Sequence, residues 1–329
     1  MKRAVLLSIL VVLVQLVVEL IAQAQQVAKV RSIGMLSNGS PASGSALRDA
    51  FRQRLRELGY EEGKDISFEY RYAEGKLERL PGLAAELVHL NVDLIVTTGG
   101  TPAPMAAKNA TSAIPIIFLG TDDPVAGGLV ASFARPGGNL TGLTNGGPEL
   151  SAKRLEILKE TVPKVSRVAF LSNVGNPGSG NVMKETEAAA RALGIRLQPV
   201  GIRSANDLEE AFSQMIKERA GALAVRQEPL LTTLRERIVE LAAKNKLPAI
   251  YAFTEFLDVG GLMSYGPSRL ALRLAAATYV DKILKGAKPA DLPVQQPIKF
   301  EFIINLKAAK QIGLTIPPNV LARADKVIK

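Results

Sequence analysis

Asp93-Leu94-Ile95-Val96-Thr97-Thr98-Gly99-Gly100-Thr101-Pro102 is the stretch on which the fold turns. Asp93 to Val96 is a short apolar run of strand character, and it empties into a tip of small and polar residues. Two glycines let the backbone turn sharply there. Pro102 suits the first turn of a helix, where its missing N–H costs nothing. Strand, polar tip and helix form the unit of a parallel α/β sheet, whose ligand crevice lies at the carboxyl ends of the strands.

The same unit flanks this stretch on both sides. Upstream, Val30 to Leu36 reads as a strand ending in the polar tip Ser37-Asn38-Gly39-Ser40-Pro41. Leu47, Phe51, Leu55 and Leu58 then recur at helical spacing, and Gly59 ends that helix in the left-handed conformation glycine adopts at little cost. Ile66 to Tyr72 is a second strand and Leu77 to Leu90 a second helix. Downstream, Pro115 to Phe118 is a fourth strand, closing on Gly120-Thr121-Asp122-Asp123-Pro124.

The plan then restarts. Leu150 to Thr161 is a linking helix, and Val168 to Leu171 a strand with the tip Ser172-Asn173-Val174-Gly175-Asn176-Pro177. A helix ending at Leu193-Gly194, a strand from Ile195 to Val200, a helix from Asp207 to Lys217 and the strand Ala222 to Val225 follow. That last strand has the tip Arg226-Gln227-Glu228-Pro229. Leu247-Pro248-Ala249-Ile250-Tyr251 parallels Ile114 to Phe118, and Glu255 answers Asp122-Asp123 as the acidic tip. Two halves on one plan predict two Rossmann-like α/β lobes with parallel sheets, their strand tips facing one cleft.

A chain of 329 residues with 47% apolar and 22% charged residues is globular and long enough for two domains. It has no Cys and a single His, His89. Thiol nucleophiles, disulfides, Cys/His zinc sites and two-His zinc motifs are thereby excluded. His89 falls late in a helix, where it complements the dipole, and is given no role. At the N-terminus, Lys2 and Arg3 precede an apolar run from Ala4 to Val14 and the small-x-small triplet Ala22-Gln23-Ala24. That order predicts a signal peptide over 1–24, cleaved near Ala24, and a periplasmic mature protein. The net charge of +10 raises the question of nucleic acid. Export and the dispersal of the basic residues over helix faces such as Arg48 to Glu57 argue against that partner.

Several tips carry side chains with binding chemistry. Thr98 and Thr101 flank backbone N–H groups that favour a carboxylate. Asp122 and Asp123 can serve as general acid and base, ligate a metal, neutralise an ammonium or cap a helix; adjacent residues point in different directions, which counts against a catalytic pair. Gly175 to Gly180 sits where a phosphate loop would, but it is not G-x-G-x-x-G and Pro177 removes a donor. Glu228 and Glu255 offer carboxylates from the other half. Tyr251 and Tyr265 end strands, where an aromatic ring can stack on a ligand or simply pack.

Gly34-Met35-Leu36, Phe51 to Tyr60, Asp93 to Val96, Thr101-Pro102-Ala103, Ile114-Pro115-Ile116, Asp123-Pro124-Val125, Pro136-Gly137-Gly138-Asn139-Leu140-Thr141-Gly142 and Asn305 to Pro317 carry a family likeness. Over essentially the whole mature chain, the sequence resembles the substrate-binding proteins of ABC uptake systems, in the group that includes the tryptophan/tyrosine-type proteins. The resemblance implies a type I periplasmic-binding-protein fold: two lobes joined by three crossovers and closing by a hinge on one small polar ligand, in many members an amino acid and often aromatic. It also implies an ABC permease as membrane partner and no catalysis, cofactor or metal; the chain is expected to act as a monomer.

The family's pocket positions match Ser37, Asn38, Thr98, Thr101, Thr121, Asp122, Ser172, Asn173, Asn176, Glu228, Tyr251 and Tyr265. One departure stands out. Many members place Asp after the strand that here ends at Val225, where this chain has Arg226-Gln227-Glu228. Glu228 would replace the Asp with a longer reach, whereas Arg226 would suit an acidic ligand. The expected lobes are 27–143 with 254–290, and 144–253 with 291–329. A secreted two-lobe enzyme acting on a nucleotide or sugar through Asp122 or Asp123 is the competing expectation. A sugar-repressor-type regulator would need a helix-turn-helix where the signal peptide stands.

Overall fold

The computed structural model describes residues 30–41, 44–147, 149–175 and 179–329. The expected signal segment and Asn176 lie outside them. The first sheet contains β1 (Arg31–Ser37), β2 (Ile66–Tyr72), β3 (Leu94–Thr98), β4 (Ile116–Thr121) and β5 (Leu140–Thr144), in the order β2-β1-β3-β4-β5 and all parallel. The second contains β6 (Arg167–Asn173), β7 (Arg196–Ile202), β8 (Ala222–Val225), β9 (Ala249–Tyr251), β10 (Met263–Pro267), β11 (Phe300–Asn305) and β12 (Lys326–Ile328). Its order is β12-β11-β10-β9-β8-β6-β7.

Five strands of the second sheet, β7-β6-β8-β9-β10, repeat the order of the first, which is the duplication expected from the two halves. The order reverses between β1 and β3 in one lobe and between β6 and β8 in the other. At such a switch point the helices leave on opposite faces and open a crevice at the strand ends. The second sheet departs from an all-parallel plan at one step, where β10 and β11 pair antiparallel.

Each sheet is buried on both faces, as the continuous apolar strands require. Leu36, Ile95, Phe118 and Leu140 face one cluster of the first lobe, and Ile33, Val96, Ile117 and Leu143 face the other. The second lobe divides likewise, with Ala169, Leu223 and Tyr251 on one side and Val168, Ala224 and Ile250 on the other. Among the described residues no helix is long and apolar enough to cross a membrane.

The chain crosses between lobes after β5, after β10 and before β11. The breaks fall after Pro267 and after Gln295, not at the expected 253/254 and 290/291. Strand β10 hydrogen-bonds to β9 in the second sheet, with Met263 opposite Ile250 and Ser264 opposite Tyr251. Only after Pro267 does the chain return to the first lobe, where the helix Arg269–Leu284 packs Leu272, Ala276, Val280 and Ile283 against Ile33, Leu55 and Ile117. Tyr60 ties it down by donating its hydroxyl to Asp281 Oδ1 at 2.9 Å. The segment then adds Gln295 to the edge of β5, its N–H donating to the carbonyl of Gly142 at 2.9 Å, before it recrosses. Each lobe completes a five-strand unit before the chain leaves, and halves aligned on four strands miss that fifth one.

The segment Pro136 to Gly142 has a packing rationale. Asn139 donates to the carbonyls of Thr111 and Ile114 at 3.1 and 2.7 Å, and Thr141 Oγ1 donates to Leu292 at 2.6 Å. A Cβ at Gly142 would stand 2.2 Å from the Phe118 carbonyl oxygen and 2.6 Å from its ring. Gly142→Ala is therefore expected to cost about 1–3 kcal/mol of stability through overpacking, read as a lower denaturant midpoint. An unchanged midpoint would mean that β4 and β5 can separate freely.

Candidate functional site

A cavity of about 910 Å³ lies where the strand ends of the two lobes meet. From the first lobe, Ser37, Thr98, Thr101 and Asp122 reach it, over an apolar floor that includes Leu77, Leu80 and Met105. Gly99 (φ 98°) brings the tips of β1 and β3 together: a Cβ there would lie 2.6 Å from that of Asn38. Thr98 Oγ1 donates to Ser37 Oγ at 3.0 Å. Asn38 is buried, with Nδ2 directed at the Gly99 carbonyl at 3.4 Å, so it builds the tip rather than lining the cavity.

Asp122 stands at the centre of the contact between lobes. Its Oδ1 accepts a hydrogen bond from Gln227 Nε2 at 3.1 Å, and its Oδ2 lies 3.6 Å from Arg226 Nη2. Burial lifts its pKa to about 6, against the opposing pull of Arg226 and Arg154. Asp123 is exposed, and its Oδ1 accepts the N–H groups of Val125 and Ala126 at 3.1 and 2.9 Å, a turn cap. The two carboxylates therefore do separate jobs and form no acid–base pair.

Opposite them, Arg226 and Glu228 face each other across the tip of β8. Arg226 Nη1 donates to Glu228 Oε1 at 2.8 Å, and Glu228 Oε1 also accepts the N–H of Asn173 at 3.3 Å. The Arg226 side chain is 3% exposed and that of Glu228 not at all, so the pair neutralises itself out of water. Arg154, on the linking helix Glu149–Thr161, donates to the Tyr265 carbonyl at 3.1 Å, and burial draws its pKa down to about 10.

Of the residues expected at the pocket, Ser37, Thr98, Thr101, Asp122, Arg226 and Glu228 line the cavity, while Asn38, Thr121, Ser172, Asn173, Tyr251 and Tyr265 do not. Thr121 and Ser172 are buried beneath the tips, and Asn173 turns its side chain back to accept the N–H of Gly175 at 2.9 Å. Tyr251 is 1% exposed and stacks on Phe256 with centroids 4.5 Å apart, inside the second lobe's core. Tyr265 stacks on Phe300 and meets Phe302 edge-on, because the antiparallel β11 covers it. Periodicity places an aromatic ring at a strand end but does not say which face is covered.

Asn145, Gln227, Phe253, Arg269 and Arg273 line the cavity without having been expected there. The two arginines follow β10 at a four-residue spacing, the signal that sets them on one face of a helix. Glu255, singled out as the second acidic tip, does line it and pairs with Arg269. Among the described residues no group of three His, Asp or Glu side chains is placed to hold a metal ion.

Two α/β lobes with switch-point tips around one shared cavity define a two-lobed ligand-binding protein. Residues 32–328 match the family of ABC transporter substrate binding proteins, and the chain belongs to that family. It is 27% identical over 287 residues to a tyrosine-binding protein of Clostridioides difficile strain R20291, covering 87% of this chain and 82% of that one. Among solved structures it resembles the ABC domain in complex with L-Trp from Streptococcus pneumonia, at 28% identity and a TM-score of 0.84 over 91% of this chain and all of that one. It also resembles the ligand-free, open structure of a substrate-binding protein with adhesive properties from Clostridium difficile, at 26% identity and 0.68 over 91% and 99%.

Folding raises the Asp122 carboxyl from 3.8 to about 6, so the protonated form is the one favoured inside. The stability linked to it is present below pH about 4 and is lost as the pH rises through about 6. Compared with Asp122→Asn, the wild-type melting temperature is expected to fall across that window and then to run parallel. Parallel profiles throughout would mean that Asp122 titrates like an exposed carboxylate.

Proposed function

We propose that this chain captures an amino acid, of the aromatic class, outside the cytoplasm and presents it, unaltered, to a membrane permease. The observation that carries the proposal is the placement of Asp122. It is a partly exposed carboxylate at the junction of the lobes, in a cavity bordered by the N–H-rich tip Thr98 to Thr101 and by apolar side chains. An ammonium matches the carboxylate, polar atoms of the ligand match the N–H groups at the start of helix Pro102–Ala110, and a ring matches Leu77, Leu80 and Met105.

Two likenesses support it. The curated relative is a tyrosine-binding protein, and one of the similar structures holds L-Trp. The higher TM-score with the Trp complex than with the open, ligand-free structure, at nearly equal identity, fits a closed cleft here. A ligand touching both lobes shifts the open–closed equilibrium by its differential affinity for the two states, and that difference is what a permease can read. The triplet Ala22-Gln23-Ala24 supports export.

Protein stripped of bound solutes by unfolding and refolding is the material for the test, with titration calorimetry against a panel of amino acids. At least one aromatic amino acid is expected to bind and to come back unchanged by mass spectrometry. Asp122→Asn is expected to weaken it about tenfold or more, through loss of a charge-assisted contact. A ligand bound equally by Asp122→Asn, or returned chemically altered, would contradict the proposal.

A further inference from the structure

The helix Arg269–Leu284 presents two arginines to the cavity one turn apart, and they are not equivalent. Arg269 is ion-paired with Glu255, and its guanidinium lies over the Phe253 ring, 4.6 Å from the centroid. Across the cleft, Arg226 is held by Glu228 and Asp122. Among the described residues Arg273 makes no hydrogen bond or ion pair. The charges acting on it are those of Arg269, Arg48 and Glu255, the last already neutralised by Arg269. Burial, aided by the neighbouring arginines, draws its pKa down to about 9. The other wall carboxylates, Asp123, Glu185 and Asp258, are exposed.

A guanidinium is a planar fork whose best partner is a planar oxyanion bound by two parallel hydrogen bonds. Partly withdrawn from water and without a counter-charge, the Arg273 guanidinium weighs on the ligand-free protein, and an arriving anion relieves that weight. We propose that Arg273 receives a carboxylate of the ligand, with Leu272 and Phe253 as the apolar wall beside it. The solute class is then carboxylic acids with an apolar body, aromatic amino acids among them. The proposal rests on the reading of this cavity as the ligand site and names the group that selects the ligand there. It gives Arg273 the role that the neutralised Arg226 cannot fill.

The test compares wild type, Arg273→Gln and Arg273→Lys by scanning and titration calorimetry. The probes are L-tyrosine, L-tryptophan, 4-hydroxyphenylpropionate and succinate, each beside its carboxamide. At least one acid is expected to bind the wild type, with its amide about tenfold weaker or more. Arg273→Gln is expected to lose about the same factor for the acid and to stop distinguishing acid from amide, while Arg273→Lys recovers part of the affinity. Without ligand, Arg273→Gln is expected to melt no lower than the wild type, because no protein partner is lost.

An acid bound as tightly by Arg273→Gln as by wild type overturns the assignment. So does the failure of every acid to bind the wild type, or a markedly lower melting temperature of the ligand-free variant. If an acid without an ammonium binds through Arg273 and neither amino acid binds, Arg273 stays assigned and the amino-acid ligand falls. If an amino acid binds wild type and Arg273→Gln alike, the reverse holds.

Discussion

Arg226 is a guanidinium taken out of water at the junction of two lobes, and a charge placed there has to be paired. Glu228 supplies the pairing from within its own lobe, and Asp122 supplies more from the other. The pair in the second lobe exists whether the cleft is open or shut. Asp122 is different: its bonds to Gln227 and Arg226 cross the cleft, so they exist only when the lobes meet. Burial then holds its carboxyl well above the usual carboxylate range, and closure, protonation and ligand charge become linked at a single side chain.

That linkage is possible because of the strand order. In each lobe the sheet reverses direction of growth beside its first strand, so the tips of β1 and β3, and of β6 and β8, open on a crevice rather than being capped by a helix. Facing lobes bring the two crevices into one cavity. The helix Arg269–Leu284 completes it from the first lobe although its chain has just left the second, and this interleaving joins the lobes by three crossings. A rotation at those crossings would leave both cores intact while moving the tips.

Much of the fold was legible because parallel strands buried on both faces read as continuous apolar runs ending in polar tips. Ile66–Tyr72 and Ala222–Val225 have the bounds that their composition suggests. Strand β10 was not legible as a member of the second sheet, since a strand's partner is decided by the chain's path and not by its own residues. The lining of the cavity was legible in its polar tips, Ser37, Thr98, Asp122 and Arg226 among them. Tyr251 and Tyr265 failed because burial depends on which neighbours cover a ring: Phe256 covers one and β11 the other. Arg273 escaped notice because one arginine on a helix looks like solvated surface until the opposite lobe is in place.

Closure of the two lobes on a ligand held between their strand ends can be read as a distance. The chain has no cysteine, so Arg56→Cys and Glu210→Cys, at exposed positions on opposite lobes, give two unique attachment points for spin labels. Pulsed electron resonance on the labelled protein, stripped of solute and then saturated with the amino acid identified by titration, reports the separation of the lobes. A longer, broader distance distribution is expected without ligand and a shorter, narrower one with it. A distribution unchanged by saturating ligand would rule closure out.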